Sequence, residues 1–155
     1  MTSHMFSILV VDDDTDILAM LGTALRRAGY QPTLVTSVGD ALQAMATATF
    51  AAVLTDYGIT NQMASQVIEY AQQHDPIPVI VLMTGHSRDF LAEQIGRLPI
   101  TAFLLKPFSL NTLYSTLSQC LETNDGRMEA EHPNSETVVY CQPSAWSGVG
   151  IHCRR

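Results

Sequence analysis

The amino-acid sequence predicts an α/β protein built on a parallel sheet, and three observations carry that expectation. Short apolar runs alternate with longer amphipathic stretches through the first ~120 residues, the pattern of strands joined by crossover helices. Five strand-like runs and five helix-like stretches follow one another in strict order. The residues with the most chemistry fall just after the strand-like runs, where an open parallel sheet binds ligands. A length of 155 residues suits one domain with a short appendage, and a hydrophobic fraction of 46% with mean hydropathy +0.12 allows a sizeable core.

Residues 6–11 read as the first strand. Residues 14–28 form the first helix, with Ile17, Leu18, Leu21, Leu25 and Ala28 on one face at helical spacing and Gly29 as its left-handed stop. Residues 31–36 make the second strand. Ser37 caps the second helix, with Asp40 three residues on as a capping-box partner. The third strand spans 51–55 and delivers Asp56 at its C-terminal end. The third helix covers 63–73, until Pro76 and Pro78 break the pattern and lead into the fourth strand, 79–83. The fourth helix is expected over 87–96, with Phe90, Leu91 and Ile95 towards the core. The fifth strand is 102–105. Ser109 then caps the fifth helix, whose apolar face is Leu110, Leu113, Tyr114, Leu117 and Leu121. Cys120 shares that face and reads as a small core residue.

The folded unit therefore spans 6–122. Residues 1–5 read as a disordered N-terminus or a cloning scar at Ser3-His4-Met5. Residues 123–155 are rich in Asn, Ser, Glu, Gly and Pro without sustained period and read as a mostly disordered tail. Within that tail, Val138-Val139-Tyr140 has the composition to pair as a short strand with a sheet edge. Trp146 reads as a loose aromatic.

Several function classes are disfavoured at this level. Net charge is −7 and the few basic residues are scattered, which argues against direct DNA binding. The longest apolar runs fall far short of the ~18 residues of a membrane span, and the N-terminus has no signal-peptide pattern, so a cytoplasmic protein is expected. Three cysteines do not make a disulfide framework. Cys141 and Cys153, near His132 and His152, lack a recognised metal-ligand spacing.

The strand ends, taken together, are more informative. The first strand delivers Asp12, Asp13 and Asp14, the third Asp56, the fourth Thr84, and the fifth Lys106, the chain's only lysine. Asp14 and Asp16 have a plainer reading as helix caps, and any one of the others is ordinary at a turn. As a set on one sheet edge they make chemical sense. Clustered carboxylates repel and call for a cation, and hard oxygen ligands suit Mg²⁺, which favours phosphate as a co-ligand. A carboxylate can attack phosphorus to form an acyl phosphate. A lysine and a metal ion would spread the charge on the transferred oxygens, and Thr84 could donate a hydrogen bond to one of them.

At this point the sequence resembles the response-regulator receiver domains of two-component signalling. The resemblance rests on Ile8-Leu9-Val10-Val11-Asp12-Asp13-Asp14, Leu54-Thr55-Asp56, Leu82-Met83-Thr84-Gly85 and Phe103-Leu104-Leu105-Lys106-Pro107-Phe108, and it covers 6–122. It implies a doubly wound, flavodoxin-like five-stranded parallel sheet flanked by five helices, with strand order 2-1-3-4-5. It implies that Asp56 is the phospho-acceptor, that Asp12, Asp13, Asp56 and the backbone carbonyl of Gly58 hold Mg²⁺, and that Lys106 contacts the phosphoryl group. Thr84 and Phe103 would be the switch residues, and Lys106-Pro107 a cis peptide. The implied partner upstream is a histidine kinase or histidine phosphotransfer protein. The implied output surface is the face of the fourth helix, fifth strand and fifth helix, which is also a candidate dimer face, with a protein target downstream. Such a protein is a switch that catalyses at most its own phosphorylation and dephosphorylation.

The sequence departs from the family in the loop after the acceptor, where Thr60 and Ala64 stand in place of the usual proline and glycine, and before the fifth strand, where Pro99-Ile100 replaces Gly-Ala. Gly58 and His86 occupy positions that tune acyl-phosphate hydrolysis in that family. Two other readings stay open. An aspartyl-nucleophile phosphatase uses a similar residue set, but its first-strand pattern fails at Asp16. A receiver-like interaction module that is never phosphorylated would usually lose the acidic pair or the lysine.

Overall fold

The computed structural model describes residues 5–58, 61–85, 99–124 and 137–139. The expected fourth helix (87–96), the first four residues and most of the C-terminal tail lie outside the described residues. The elements are β1 (Ser7–Val11), α1 (Thr15–Arg27), β2 (Gln31–Val35), α2 (Val38–Thr47), β3 (Ala52–Asp56), α3 (Asn61–Ala71), β4 (Val79–Thr84), β5 (Ala102–Leu105), α4 (Leu110–Asn124) and β6 (Thr137–Val139). Here α4 is the fifth helix of the sequence reading.

The strands lie in the order β2-β1-β3-β4-β5-β6. The first five are parallel, in the 2-1-3-4-5 order expected, and β6 adds to the β5 edge antiparallel. Period-two alternation divides the core between the two faces of the sheet. Leu9, Val11, Val53, Ile80, Leu82 and Phe103 face one cluster, with Ala41 and Met45 of α2 and Val67 and Ile68 of α3. Ile8, Val10, Leu54, Val81, Met83 and Leu104 face the other, with Leu18, Leu21 and Leu25 of α1 and Leu113, Leu117 and Cys120 of α4. Because both faces are covered, the central strands are apolar along their whole length rather than alternating.

Three helix starts, those of α1, α2 and α4, are fixed by side-chain caps. Asp14 Oδ1 accepts from the Asp16 and Ile17 amides at 2.9 and 3.2 Å, so Asp14 is a cap, as read from the sequence. Ser37 and Ser109 cap α2 and α4 by accepting from the amides of Asp40 and Thr112, both at 3.1 Å. Gly29 has φ 89°, the left-handed stop after α1. Two residues assigned to apolar faces are exposed instead. Ala28 is the C-cap of α1, turned off its buried stripe, and Leu110, the first residue of α4, is 41% exposed.

α3 begins two residues earlier than expected, and beyond Ala71 the chain tightens into a short turn in which the Gln73 and His74 amides reach carbonyls three residues back. His74 then locks two helices together. Its Nδ1 lies 3.0 Å from the Tyr70 carbonyl and its Nε2 2.9 Å from the Met45 carbonyl. On the other side of the sheet the Tyr114 hydroxyl donates to the Ala24 carbonyl at 3.0 Å, joining α4 to α1. These cross-links hold the helices against the sheet whose carboxyl edge carries the polar residues.

Candidate functional site

Strand register brings the site together. Val11 of β1 pairs with Thr55 of β3, so Asp12 and Asp56 each stand one step beyond a matched pair. Asp56 pairs with Met83 of β4, and Thr84 pairs with Leu105 of β5, so Lys106 follows immediately beyond that rung. Asp12, Asp56, Thr84 and Lys106 thus arrive on neighbouring strand ends although they are scattered through the chain. The Lys106–Pro107 peptide is cis, as the resemblance implied.

Lys106 ties the two carboxylates. Its Nζ donates to Asp56 Oδ1 at 2.8 Å and to Asp12 Oδ2 at 3.2 Å. The second oxygen of Asp12 accepts from the Asp14 amide at 2.9 Å. Asp12 is buried at 2% exposure, whereas the Asp56 side chain keeps 17% of its surface open. Asp13 is exposed beside them, and one oxygen from each of Asp12, Asp13 and Asp56 lies within 4.8 Å of the others. That set of hard, negatively charged oxygens fits a divalent cation such as Mg²⁺.

The electrostatics follow from this crowding. Burial raises the Asp12 carboxyl above its ordinary 3.8; the Asp14 amide opposes this, the Asp56 charge adds to it, and Lys106 again opposes it. For Lys106, burial alone would lower the ammonium below its ordinary 10.5, but the hydrogen bond and charge of Asp56, followed by those of Asp12, outweigh it and the net direction is up. Lys106 is therefore a firmly charged cation set between two anions.

Gly58 has a steric role that the sequence did not disclose. A Cβ at this position would stand 2.9 Å from Asp56 Oδ2, closer than such atoms approach, so the missing side chain leaves that oxygen unobstructed. The Tyr57 amide donates to the Met83 carbonyl at 2.7 Å, carrying the β3–β4 ladder one residue past Asp56, and Tyr57 packs into the α2–α3 core. The sequence does not disclose this support for the loop after Asp56, since nothing local marks Tyr57 as buried.

Thr84 is fully buried at the end of β4. It lies two residues beyond Leu82, which pairs with Phe103, so Thr84 and Phe103 share one face of the sheet. Phe103 is packed among the α2–α3 cluster at 5% exposure. His86 lies outside the described residues.

The chain matches the model of the response regulator receiver domain over residues 8–118. The chain belongs to the response regulator receiver family. Relatives include the transcriptional regulatory protein BasR of Escherichia coli, 29% identical over 80% of this chain and 56% of BasR. The transcriptional regulatory protein ZraR of Salmonella typhimurium is 30% identical over 86% of this chain and 30% of ZraR. The chain thus spans about half of one relative and under a third of the other. Among solved structures, full-length FixJ of B. japonicum superposes with a TM-score of 0.67 at 27% identity, covering 78% of this chain and 60% of that one. The chemotaxis response regulator CheY4 of Vibrio cholerae gives a TM-score of 0.67 at 24% identity, covering 74% of this chain and 98% of that one, a likeness of fold.

Receiver domains act as signalling switches served by histidine kinases and carry an acidic Mg²⁺ pocket, and this chain has the corresponding Asp cluster. The comparisons lend no support to the phosphatase-like reading. BasR and ZraR are named as transcriptional regulators, so the expectation of no direct DNA contact gains no support from them. Among the described residues no helix is long and apolar enough to cross a membrane.

Proposed function

We propose that Asp56 is the phospho-acceptor of this receiver domain. A partner kinase presents a phosphohistidine, Asp56 Oδ2 forms the new bond to phosphorus, and the nitrogen–phosphorus bond breaks as the imidazole leaves. The observation that carries this reading is the division of labour on Asp56. Oδ1 is held by Lys106 at 2.8 Å, while Oδ2 faces the space that Gly58 leaves open. Lys106 is positioned to follow the charge onto the transferred oxygens. Asp12, Asp13, Asp56 and the Gly58 backbone carbonyl are the residues that would hold Mg²⁺, whose chemistry is to neutralise the carboxylates and the phosphoryl oxygens together.

The new charge then draws the Thr84 hydroxyl towards the phosphoryl group, and Phe103, on the same face of the sheet, repacks in response. The surface around β5 and α4 changes its affinity for a protein partner as the outcome. This is a local electrostatic event acting on a two-state element. Reception in the cytoplasm and output through protein contacts rather than DNA belong to the same reading. Incubation with a small-molecule phosphodonor and Mg²⁺ tests it. The wild-type chain gains one phosphoryl group, and Asp56→Asn gains none; undiminished labelling of Asp56→Asn overturns the assignment.

A further inference from the structure

The sixth strand extends the five-stranded sheet expected for the family. β5 has the sequence Ala-Phe-Leu-Leu, without charge or proline. Left bare, its outer side would present unpaired amides and carbonyls on an apolar strand, the arrangement that invites another chain to pair. Here β6 pairs with it antiparallel, with Ala102 opposite Val139, Phe103 opposite Val138 and Leu104 opposite Thr137. β6 also runs beside a strand whose next residue, Lys106, holds Asp56.

The backbone of β5 fixes which groups β6 satisfies. The Thr101 amide donates to the Ile80 carbonyl of β4 at 2.8 Å. Amides alternate sides along a strand, so that of Phe103 turns towards β4, whereas those of Ala102 and Leu104 turn outwards to β6. Ala102–Val139 and Leu104–Thr137 are accordingly the hydrogen-bonded pairs, and Phe103–Val138 is the non-bonded pair between them. The segment Thr-Val-Val is all β-branched, a composition that favours strands.

Chain length permits this pairing within one molecule. α4 is 15 residues, or about 22 Å, and carries the chain back along the sheet before β6 begins. The intervening residues 125–136 span up to ~40 Å when extended, more than enough to return to the start of an antiparallel strand.

We propose that the outer edge of β5 is a strand-docking site whose resident ligand is this chain's own segment 137–139. The site takes an extended, β-branched peptide in antiparallel orientation. While the segment is seated, no other extended chain can add to the sheet there, and its release opens the edge. This inference stands on strand pairing alone and does not depend on phosphorylation of Asp56.

Amide hydrogen exchange on the full chain provides the test. In the wild-type protein the Ala102 and Leu104 amides are as protected as the β4-facing amide of Phe103. Val139→Pro removes the amide that donates to Ala102, and protection at Ala102 and Leu104 falls by at least tenfold while Phe103 stays protected. A fluorescent synthetic peptide of residues 134–140 then binds Val139→Pro saturably and restores protection, but does not bind the wild type. Free exchange of Ala102 and Leu104 in the wild-type chain overturns the proposal without recourse to any variant. So does unchanged protection in Val139→Pro, or equal peptide binding by both proteins.

Discussion

Replacing Asp12 with asparagine is expected to stabilise this protein while abolishing the proposed response to Mg²⁺. Asp12 is attracted to Lys106 across 3.2 Å and repelled by Asp56 within 4.8 Å. At an effective dielectric constant of ~20 these amount to roughly 5 kcal/mol of attraction and at least ~3.5 kcal/mol of repulsion. Exposed Asp13 adds a further repulsion, discounted by solvent screening. The pairwise charges therefore come close to cancelling, and what decides the sign is the burial of a carboxylate at 2% exposure. The direction agrees with the raised Asp12 pKa, in which burial is the largest cause. A carboxyl with a raised folded-state pKa binds its proton more tightly when folded, so its ionisation costs stability once pH exceeds the ordinary 3.8. Asp12→Asn removes that cost. At neutral pH and without divalent cations it should gain roughly 0.5–2 kcal/mol in urea unfolding, the usual yield of relieving a functional compromise. The gain should shrink as pH falls through the folded-state pKa and vanish below the unfolded one. Mg²⁺ at about ten times its dissociation constant should add ~1.4 kcal/mol to the wild type and nothing to the variant. A metal-free Asp12→Asn less stable than wild type at neutral pH would refute the reasoning.

Three further outcomes are expected. Gly58→Ala brings a Cβ 2.9 Å from Asp56 Oδ2 and forces the carboxylate to turn against its Lys106 bond, so phosphorylation by a small phosphodonor should slow about tenfold, or ~1.4 kcal/mol; an unchanged rate contradicts the steric role. His74→Ala loses the contact to the Met45 carbonyl of α2 together with the local one to the Tyr70 carbonyl of α3, and should destabilise by roughly 1–3 kcal/mol in urea unfolding, with labelling of Asp56 retained. Lys106→Met should be less stable than wild type at pH 8–9.5, because the pairing of a lysine with a raised pKa is fully present below the unfolded 10.5 and is lost only as pH rises through the higher folded value; a difference that closes well below 10.5 contradicts that order.

The fold was legible where the signal is local. Both faces of the sheet are covered, so β1, β3, β4 and β5 appear as apolar runs, and Ser37, Ser109 and Gly29 mark helix ends by their own chemistry. The start of α3 was not legible, because Asn61 and Gln62 add no period to the pattern. Ala28 matched the apolar face by spacing, yet the helix ended one residue earlier and turned it outwards. Asp12, Asp56, Thr84 and Lys106 could be assembled because each stands at the C-terminal end of a recognisable strand. What sequence could not supply is distance: His74 meets Met45 across 29 positions, and the approach of Gly58 to Asp56 Oδ2 depends on loop conformation. Val138 and Val139 looked capable of strand pairing, but the choice of β5 and the antiparallel direction come from tertiary contacts.

The central claim is chemical and concerns a single carboxylate. Wild-type protein treated with a small acyl phosphate and Mg²⁺, then reduced with borohydride, should yield one homoserine in tandem mass spectrometry, at position 56, because the reductant acts on the aspartyl phosphate and leaves free carboxylates intact. Homoserine at position 12 or 13, or none at position 56 in protein that carries a phosphoryl group, would contradict the account.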